Sequence, residues 1–304
     1  MSYRAGFLGL IGQPNAGKST LLNLLVEEKV SIVTDKPQTT RRRVMGFLQS
    51  PEAQIILVDA PGVLRASKGL NSFLQKEAED VIQSSDALAA VLNLDEDKKE
   101  NLDRVIEMVS ASGKPWFAVI TKVDQVDKSH RLQRLKDELR EKFPKISVLE
   151  VSSTWKKDLQ SFRELFAGVA RGLLPESPAP LYDVELFTPH TLREMAAEVI
   201  REKCFEELQQ EIPYQLAIRI VKFDENREDL TKIFAEIVIS KESHKPIIIG
   251  KGGAQIKKIG MSARKELEKL MGHQVFLNLD VVVREEWFEK PRLMKELGYV
   301  VVKE

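Results

Sequence analysis

Gly12-Gln13-Pro14-Asn15-Ala16-Gly17-Lys18-Ser19 fits the spacing G-x-x-x-x-G-K-[ST], a set of residue types suited to holding phosphates. Gly12 and Gly17 allow backbone N–H groups to turn inward on an anion. Lys18 supplies a cation for the β- and γ-phosphates, and Ser19 offers a hydroxyl to Mg²⁺. Thr20 follows on the helix that the loop opens and is counted with the nucleotide-binding residues. A second set lies at Asp59-Ala60-Pro61-Gly62, after an apolar run. There the Asp59 carboxylate can reach the same Mg²⁺ through water, and Gly62 can offer a backbone N–H to a γ-phosphate. Alone, D-x-x-G describes an Asp-containing turn, so its meaning depends on the phosphate loop upstream.

Thr121-Lys122-Val123-Asp124 bears on the base. A carboxylate at Asp124 accepts from guanine N1–H and the exocyclic amine. Adenine offers neither donor, and a pocket left with an unpaired carboxylate rejects it. The pattern is [NT]-K-x-D with Thr121 at the first position, where the hydroxyl is shorter than an asparagine amide and makes fewer hydrogen bonds. Ser152-Ser153 stands after a later apolar run, placed to close over the base through a backbone N–H. The polar stretch at 35–43 lies between apolar runs as a mobile switch should. In it Thr40, with Thr39 as the alternative, can bring a hydroxyl to Mg²⁺ when a γ-phosphate is present. Arg41, Arg42 and Arg43 in the same stretch suit either a solvated basic face or a phosphate or RNA contact.

These residues need a scaffold that puts them at one edge. Short apolar runs at 7–11, 44–48, 55–58, 87–92, 116–120 and 146–151 alternate with helical patterns at 18–26, 73–83, 102–109, 131–143 and 159–170. That alternation predicts a doubly wound α/β domain over 1–172, with a mainly parallel sheet and helices on both faces. At 304 residues the chain is long enough for two domains. Three prolines, Pro175, Pro178 and Pro180, favour an extended connection over 173–189. Lysine plus arginine equals aspartate plus glutamate at 46 each, so net charge points to no polyanionic partner and any nucleic-acid surface must be local. The single cysteine, Cys204, cannot form an intramolecular disulfide and fits a reducing cytoplasm. No stretch has the apolar length of a membrane span or the form of a signal peptide.

From 190 to 304 the periods change to a helix, two strands, a helix and a third strand, an α+β order. Tyr214, Leu216, Ile218 and Ile220 alternate with Gln215, Ala217 and Arg219, and Ile233, Ala235, Ile237 and Ile239 alternate with Phe234, Glu236 and Val238. Between the second strand and the next helix lies Gly250-Lys251-Gly252-Gly253, a G-x-x-G turn of the kind that clamps a nucleic-acid backbone in KH domains. From 241 to 269 there are eight basic residues against three acidic ones, including Lys257 and Lys258 on the helix after the turn. Such clustering in a neutral chain is what a phosphate-tracking surface needs, and a plain helix turn is the alternative. Trp287 and Phe288 are assigned to packing rather than to base stacking.

Taken in order, the motifs resemble the translation-factor-related class of GTPases. The whole chain is similar to the Era family, through residues 12–23, Pro37-Gln38-Thr39-Thr40-Arg41, Asp59-Ala60-Pro61-Gly62 and the G-x-x-G segment. The resemblance implies a slow GTPase with Mg²⁺ as cofactor and GTP and GDP as substrate and product. Lys18, Thr40 and Gly62 would serve catalysis, and Ser19, Thr40 and Asp59 would serve the metal. Val63 stands where small signalling GTPases carry a glutamine that orients water, so turnover should rest on positioning and electrostatics. Related GTPases use an asparagine at the position of Asn15 to hold K⁺, and the resemblance implies the same here. It also implies a type II KH domain that binds single-stranded RNA near the 3′ end of 16S rRNA through Gly250, Lys251, Gly252, Gly253, Lys257 and Lys258. The implied setting is assembly of the 30S subunit and rRNA maturation, in the cytoplasm or peripherally at the inner membrane, with no stable protein partner inferable. Two other classes compete. A metabolic phosphotransferase or ATPase sharing only the phosphate loop is opposed by Asp124, and a membrane-associated signalling GTPase would use the second domain to bind protein.

Overall fold

The computed structural model describes residues 2–62, 69–94, 99–124, 129–152 and 158–299. The chain forms two compact units. One contains Met1–Ser31, Thr40–Arg65 and Leu74–Pro189, and the other contains Ile32–Thr39, Ala66–Phe73 and His190–Glu304. Val63 and Ser153 lie outside the described residues.

In the first unit, β1 (Arg4–Gly12), α1 (Lys18–Val26), β2 (Val44–Ser50), β3 (Ala53–Asp59), α2 (Gly69–Ser84), β4 (Ala87–Asn93), α3 (Lys99–Ala111), β5 (Trp116–Thr121), α4 (Ser129–Lys142), β6 (Val148–Val151) and α5 (Leu159–Leu173) follow one another. The sheet order is β2-β3-β1-β4-β5-β6. All pairings are parallel except β2 with β3, which are joined by only two residues. So short a link cannot make the crossover that a parallel pair needs. Every residue of β3 and β4 is buried, as expected where helices cover both faces of a sheet. Leu21, Leu22, Leu25, Phe162 and Phe166 pack on one face, and Val81, Val105, Ile106, Val109 and Leu139 on the other.

Residues 173–189 run along this first unit. The buried Gln54 accepts from the backbone N–H groups of Leu181 (2.7 Å) and Tyr182 (2.9 Å) and donates to the Tyr182 carbonyl (2.8 Å). Tyr182 stacks on Phe47 with centroids 4.6 Å apart, and the Thr188 hydroxyl donates to the Met45 carbonyl at 2.6 Å. Pro-rich chain has no ladder of its own, so its polar groups are satisfied by strand residues instead.

The second unit contains α6 (Leu192–Glu207), β7 (Leu216–Arg227), β8 (Leu230–Ile239), α7 (Lys245–Ile249), α8 (Ala254–Met271), β9 (Gln274–Val283) and α9 (Pro291–Glu296). Its sheet runs β7-β8-β9, antiparallel then parallel. Thr191 and Glu194 close a capping box on α6, satisfying backbone donors at the helix start. Tyr214 falls in a 3-10 turn, Ile212–Gln215, rather than in the strand, because Pro213 lacks the N–H a ladder needs. Ile233, Ala235, Ile237 and Ile239 face a core built with Ile259, Ala263 and Leu267 of α8. Trp287 is buried and its indole N–H donates to the Gln215 carbonyl at 2.9 Å, a packing role. Among the described residues no helix is long and apolar enough to cross a membrane.

Candidate functional site

The loop between β1 and α1 is shaped by backbone that only certain residues tolerate. Gly17 has φ of 86°, in the left-handed region. A Cβ on Gly12 would lie 2.5 Å from the Val91 carbonyl oxygen, and one on Gly62 would lie 2.5 Å from the Pro14 nitrogen, so both glycines permit close backbone approach. Lys18 is buried at the start of α1, and its Nζ donates to the carbonyls of Gly12 (3.1 Å) and Gln13 (3.0 Å). Burial pushes the Lys18 pKa down, and the negative charge of Asp59 opposes that shift. Gln13 is tied to α3 through a bond from Nε2 to the Asn101 carbonyl at 3.0 Å.

At the C-terminal end of β3, Asp59 is fully buried. Its Oδ2 accepts from the Ser19 hydroxyl at 2.5 Å, the Ser31 hydroxyl at 3.2 Å and, more weakly, the Thr40 hydroxyl at 3.5 Å. Ser19 and Thr40 hydroxyls also meet at 2.8 Å. Burial raises the Asp59 pKa, while Lys18 and these hydroxyls pull it down. Oδ1 of Asp59 is buried without a hydrogen-bond partner among the described residues. A buried carboxylate oxygen left unpaired, beside two hydroxyls, is a donor set that suits a hard divalent cation. Between the two threonines, only Thr40 enters this cluster. The Thr39 hydroxyl is spent on Thr34 (2.6 Å) and the Lys36 carbonyl (2.7 Å). Ser31 was not singled out from the sequence, because no motif surrounds it.

Beyond the loop, Gly17, Thr20, Leu21, Leu24, Thr121, Lys122 and Val151 line a cavity. Thr121, at the end of β5, is buried and its hydroxyl donates to the Ala16 carbonyl at 2.8 Å. The [NT]-K-x-D segment is therefore fastened to the phosphate loop by a hydroxyl. Asp124 is exposed at the same end of the sheet, and Ser152 is buried just past β6. Asn15 is exposed in the loop at φ of 60°. Lys122, with φ of 58°, is another left-handed residue at this edge.

In the second unit, Gly250 has φ of 75° and separates α7 from the turn Lys251–Gly253, which leads into α8. A Cβ on Gly250 would press on Gln255 at 2.7 Å, so this glycine serves the close approach of two helices. Gly252 and Gly253, also at positive φ, face open space. Ile256, Lys257, Gly260, Met261, Arg264, Leu277, Asn278 and Leu279 line a groove between α8 and β9, in which apolar side chains stand beside two basic ones. Lys258, one residue on, pairs with Glu207 at 2.6 Å, a long-range partner that helix spacing could not reveal.

Two family models match the chain: 50S ribosome-binding GTPase over residues 7–122 and KH domain over residues 211–288. The chain is 39% identical to GTPase Era of Geobacter metallireducens over 299 residues, covering 98% of each, and 38% identical to GTPase Era of Nitratidesulfovibrio vulgaris over 304 residues, covering 98% of this chain and 97% of the relative. The chain belongs to the Era family of GTPases. Two solved Era structures match almost end to end. One is an Aquifex aeolicus Era variant bound to GDP·AlF4⁻ (32% identity, TM-score 0.89). The other is Era in complex with MgGDPNP and nucleotides 1506–1542 of 16S ribosomal RNA (33% identity, TM-score 0.90). Each covers 98% of this chain and 100% of the solved one. As an Era-family member the chain is a GTPase carrying a KH domain, and the resemblance read from the motifs holds over nearly its full length.

Proposed function

We propose that this Era-family chain is a GTP-driven RNA-binding switch that acts at the 3′ end of 16S rRNA in assembly of the 30S subunit and rRNA maturation. The observation that carries this reading is the joining, in one chain, of an open G-x-x-G turn and a phosphate-loop motif whose Ser19 hydroxyl meets Thr40. It is supported by the full-length Era relative solved with MgGDPNP and 16S rRNA nucleotides. Residues 1–172 form the GTPase domain and 190–304 the type II KH domain.

In this reading Gly12 to Thr20 wrap the phosphates and Lys18 neutralises them. Asp59 to Gly62 border the γ-phosphate, and Thr121, Lys122, Asp124, Ser152 and Ser153 surround the guanine. Ser19 and Thr40, with Asp59 through water, would hold Mg²⁺, which when bound offsets charge building on the β- and γ-phosphates. Thr40 would bring its hydroxyl to the metal when the γ-phosphate is present, and loss of that phosphate would free the 35–43 stretch. Asn15 would hold K⁺, and equal turnover in K⁺ and Na⁺ would remove that assignment. Gly250, Lys251, Gly252 and Gly253 clamp the RNA backbone, and Lys257 and Lys258 supply charge. The site of action is the cytoplasm, and cell fractionation distinguishes this from peripheral association with the inner membrane.

Coupling is reciprocal: if GTP raises RNA affinity, RNA must favour the GTP state. A retardation assay with an oligonucleotide of the 16S 3′ end tests this with a GTP analogue and with GDP. Tighter binding with the analogue is expected. Identical affinities would reject the coupling, and no binding in either state would reject the RNA assignment. Gly252→Asp places a carboxylate in the clamp and should abolish RNA binding while leaving GTP turnover near wild type.

A further inference from the structure

The second unit holds the segment Ile32–Thr39 on one helix, α6. The Val33 N–H donates to Glu202 Oε1 at 3.0 Å. Lys36 Nζ donates to the carbonyls of Phe205 and Leu208, where a helix leaves its last carbonyls unpaired and its dipole favours a cation. Arg201 Nη1 donates to the Thr39 carbonyl.

Arg201 is only 1% exposed. Its remaining fork goes to Glu198, with Nε 3.0 Å from Oε1 and Nη2 on Oε2, and its guanidinium lies 5.5 Å from the Phe205 ring centroid. Glu198 thus neutralises the buried charge while one arm of the fork remains for Thr39, an arrangement that lysine, with a single ammonium, cannot copy. Burying a guanidinium costs desolvation, and the Thr39 carbonyl is what this arm gains in return.

Thr39 is the last residue of this segment in the second unit, and Thr40 resumes the first. The peptide between them is planar and trans, so holding its carbonyl fixes the whole plane and turns the Thr40 N–H to the opposite side. The Thr40 hydroxyl is the group that meets Ser19 at 2.8 Å.

We propose that Arg201 is a positioning residue for the triphosphate-bound state, holding the Thr39 carbonyl so that Thr40 is oriented toward the γ-phosphate. It rests on the role given to Thr40 above. Arg201 acts through this peptide.

The full chain with Mg²⁺ tests this by titration with fluorescent GDPNP and with fluorescent GDP, using wild type, Arg201→Met, Thr40→Ala and the double variant. Arg201→Met should lower GDPNP affinity about tenfold and GDP affinity less than about twofold, as expected for one lost charge-assisted hydrogen bond felt only in the triphosphate state. In the Thr40→Ala background the same change should cost nothing further. Should Arg201→Met fail to fold in a thermal melt, Arg201→Lys keeps the charge and should give a smaller loss confined to GDPNP. Equal losses for both nucleotides would reveal a merely structural residue and overturn the inference. Additive losses with Thr40→Ala, or no loss at all, would overturn it too. If instead Thr40→Ala binds GDPNP as wild type does, the role of Thr40 in the proposed function falls, and this inference with it.

Discussion

Replacing Thr121 by valine keeps the shape of the side chain and removes one hydroxyl. In the structure that hydroxyl donates to the Ala16 carbonyl at 2.8 Å in buried surroundings, while its other near neighbour, the Leu92 carbonyl at 3.4 Å, is too distant to contribute much. A net hydrogen bond is worth about 1 kcal/mol, and a buried carbonyl deprived of its donor costs about 1–3 kcal/mol. Thr121→Val should therefore destabilise the first unit by about 1–2 kcal/mol, or a few degrees in melting temperature for a domain of this size. Ala16 sits inside the phosphate loop, so the loop also loses its tie to β5 and must be ordered by the nucleotide itself. GDP affinity should fall about five- to tenfold, the equivalent of roughly 1 kcal/mol. Urea unfolding followed by circular dichroism measures the first quantity, and titration with fluorescent GDP measures the second. Wild-type stability together with wild-type GDP affinity would refute the reasoning, because the bond would then carry no energy.

Asp124→Asn turns an acceptor into a group that also donates. GTP affinity should fall at least about tenfold and xanthosine triphosphate, which carries a carbonyl where guanine has its amine, should compete better, as a displacement assay would show. Lys257→Gln should weaken RNA binding and reduce the salt dependence of log affinity by about one, whereas Lys258→Gln should do less because its charge is already shared with Glu207. Burial pushes the Cys204 thiol up to about 12 despite the nearby Arg201, so at about pH 8 a thiol reagent should label the unfolded chain and leave the folded one unmodified.

Much of the site was legible because its chemistry is local. Gly12, Gly17, Lys18 and Ser19 act within one turn between strand and helix, so their spacing alone states what the loop can hold. Asp59 and Asp124 could be placed at one edge of the sheet because each follows an apolar run, and the carboxyl ends of parallel strands share that edge. The α-β-β-α-β order of the second unit followed from periods of two and 3.6 in the same way. The antiparallel β2 could not be told from the apolar pattern, which says that a strand is buried and not which way it runs.

What the sequence by itself determined is the order and spacing of the candidate motifs, along with the elements that carry them. The tertiary structure alone decided which groups meet. Thr40 rather than Thr39 reaches Ser19, Ser31 joins Asp59 from 28 positions away, Thr121 fastens Ala16 from 105 positions away, and Arg201 takes the Thr39 carbonyl from 162 away. The physical reason is that hydrophobic periodicity fixes how each segment is buried, whereas a hydrogen bond between distant residues depends on the order and register of segments packed together.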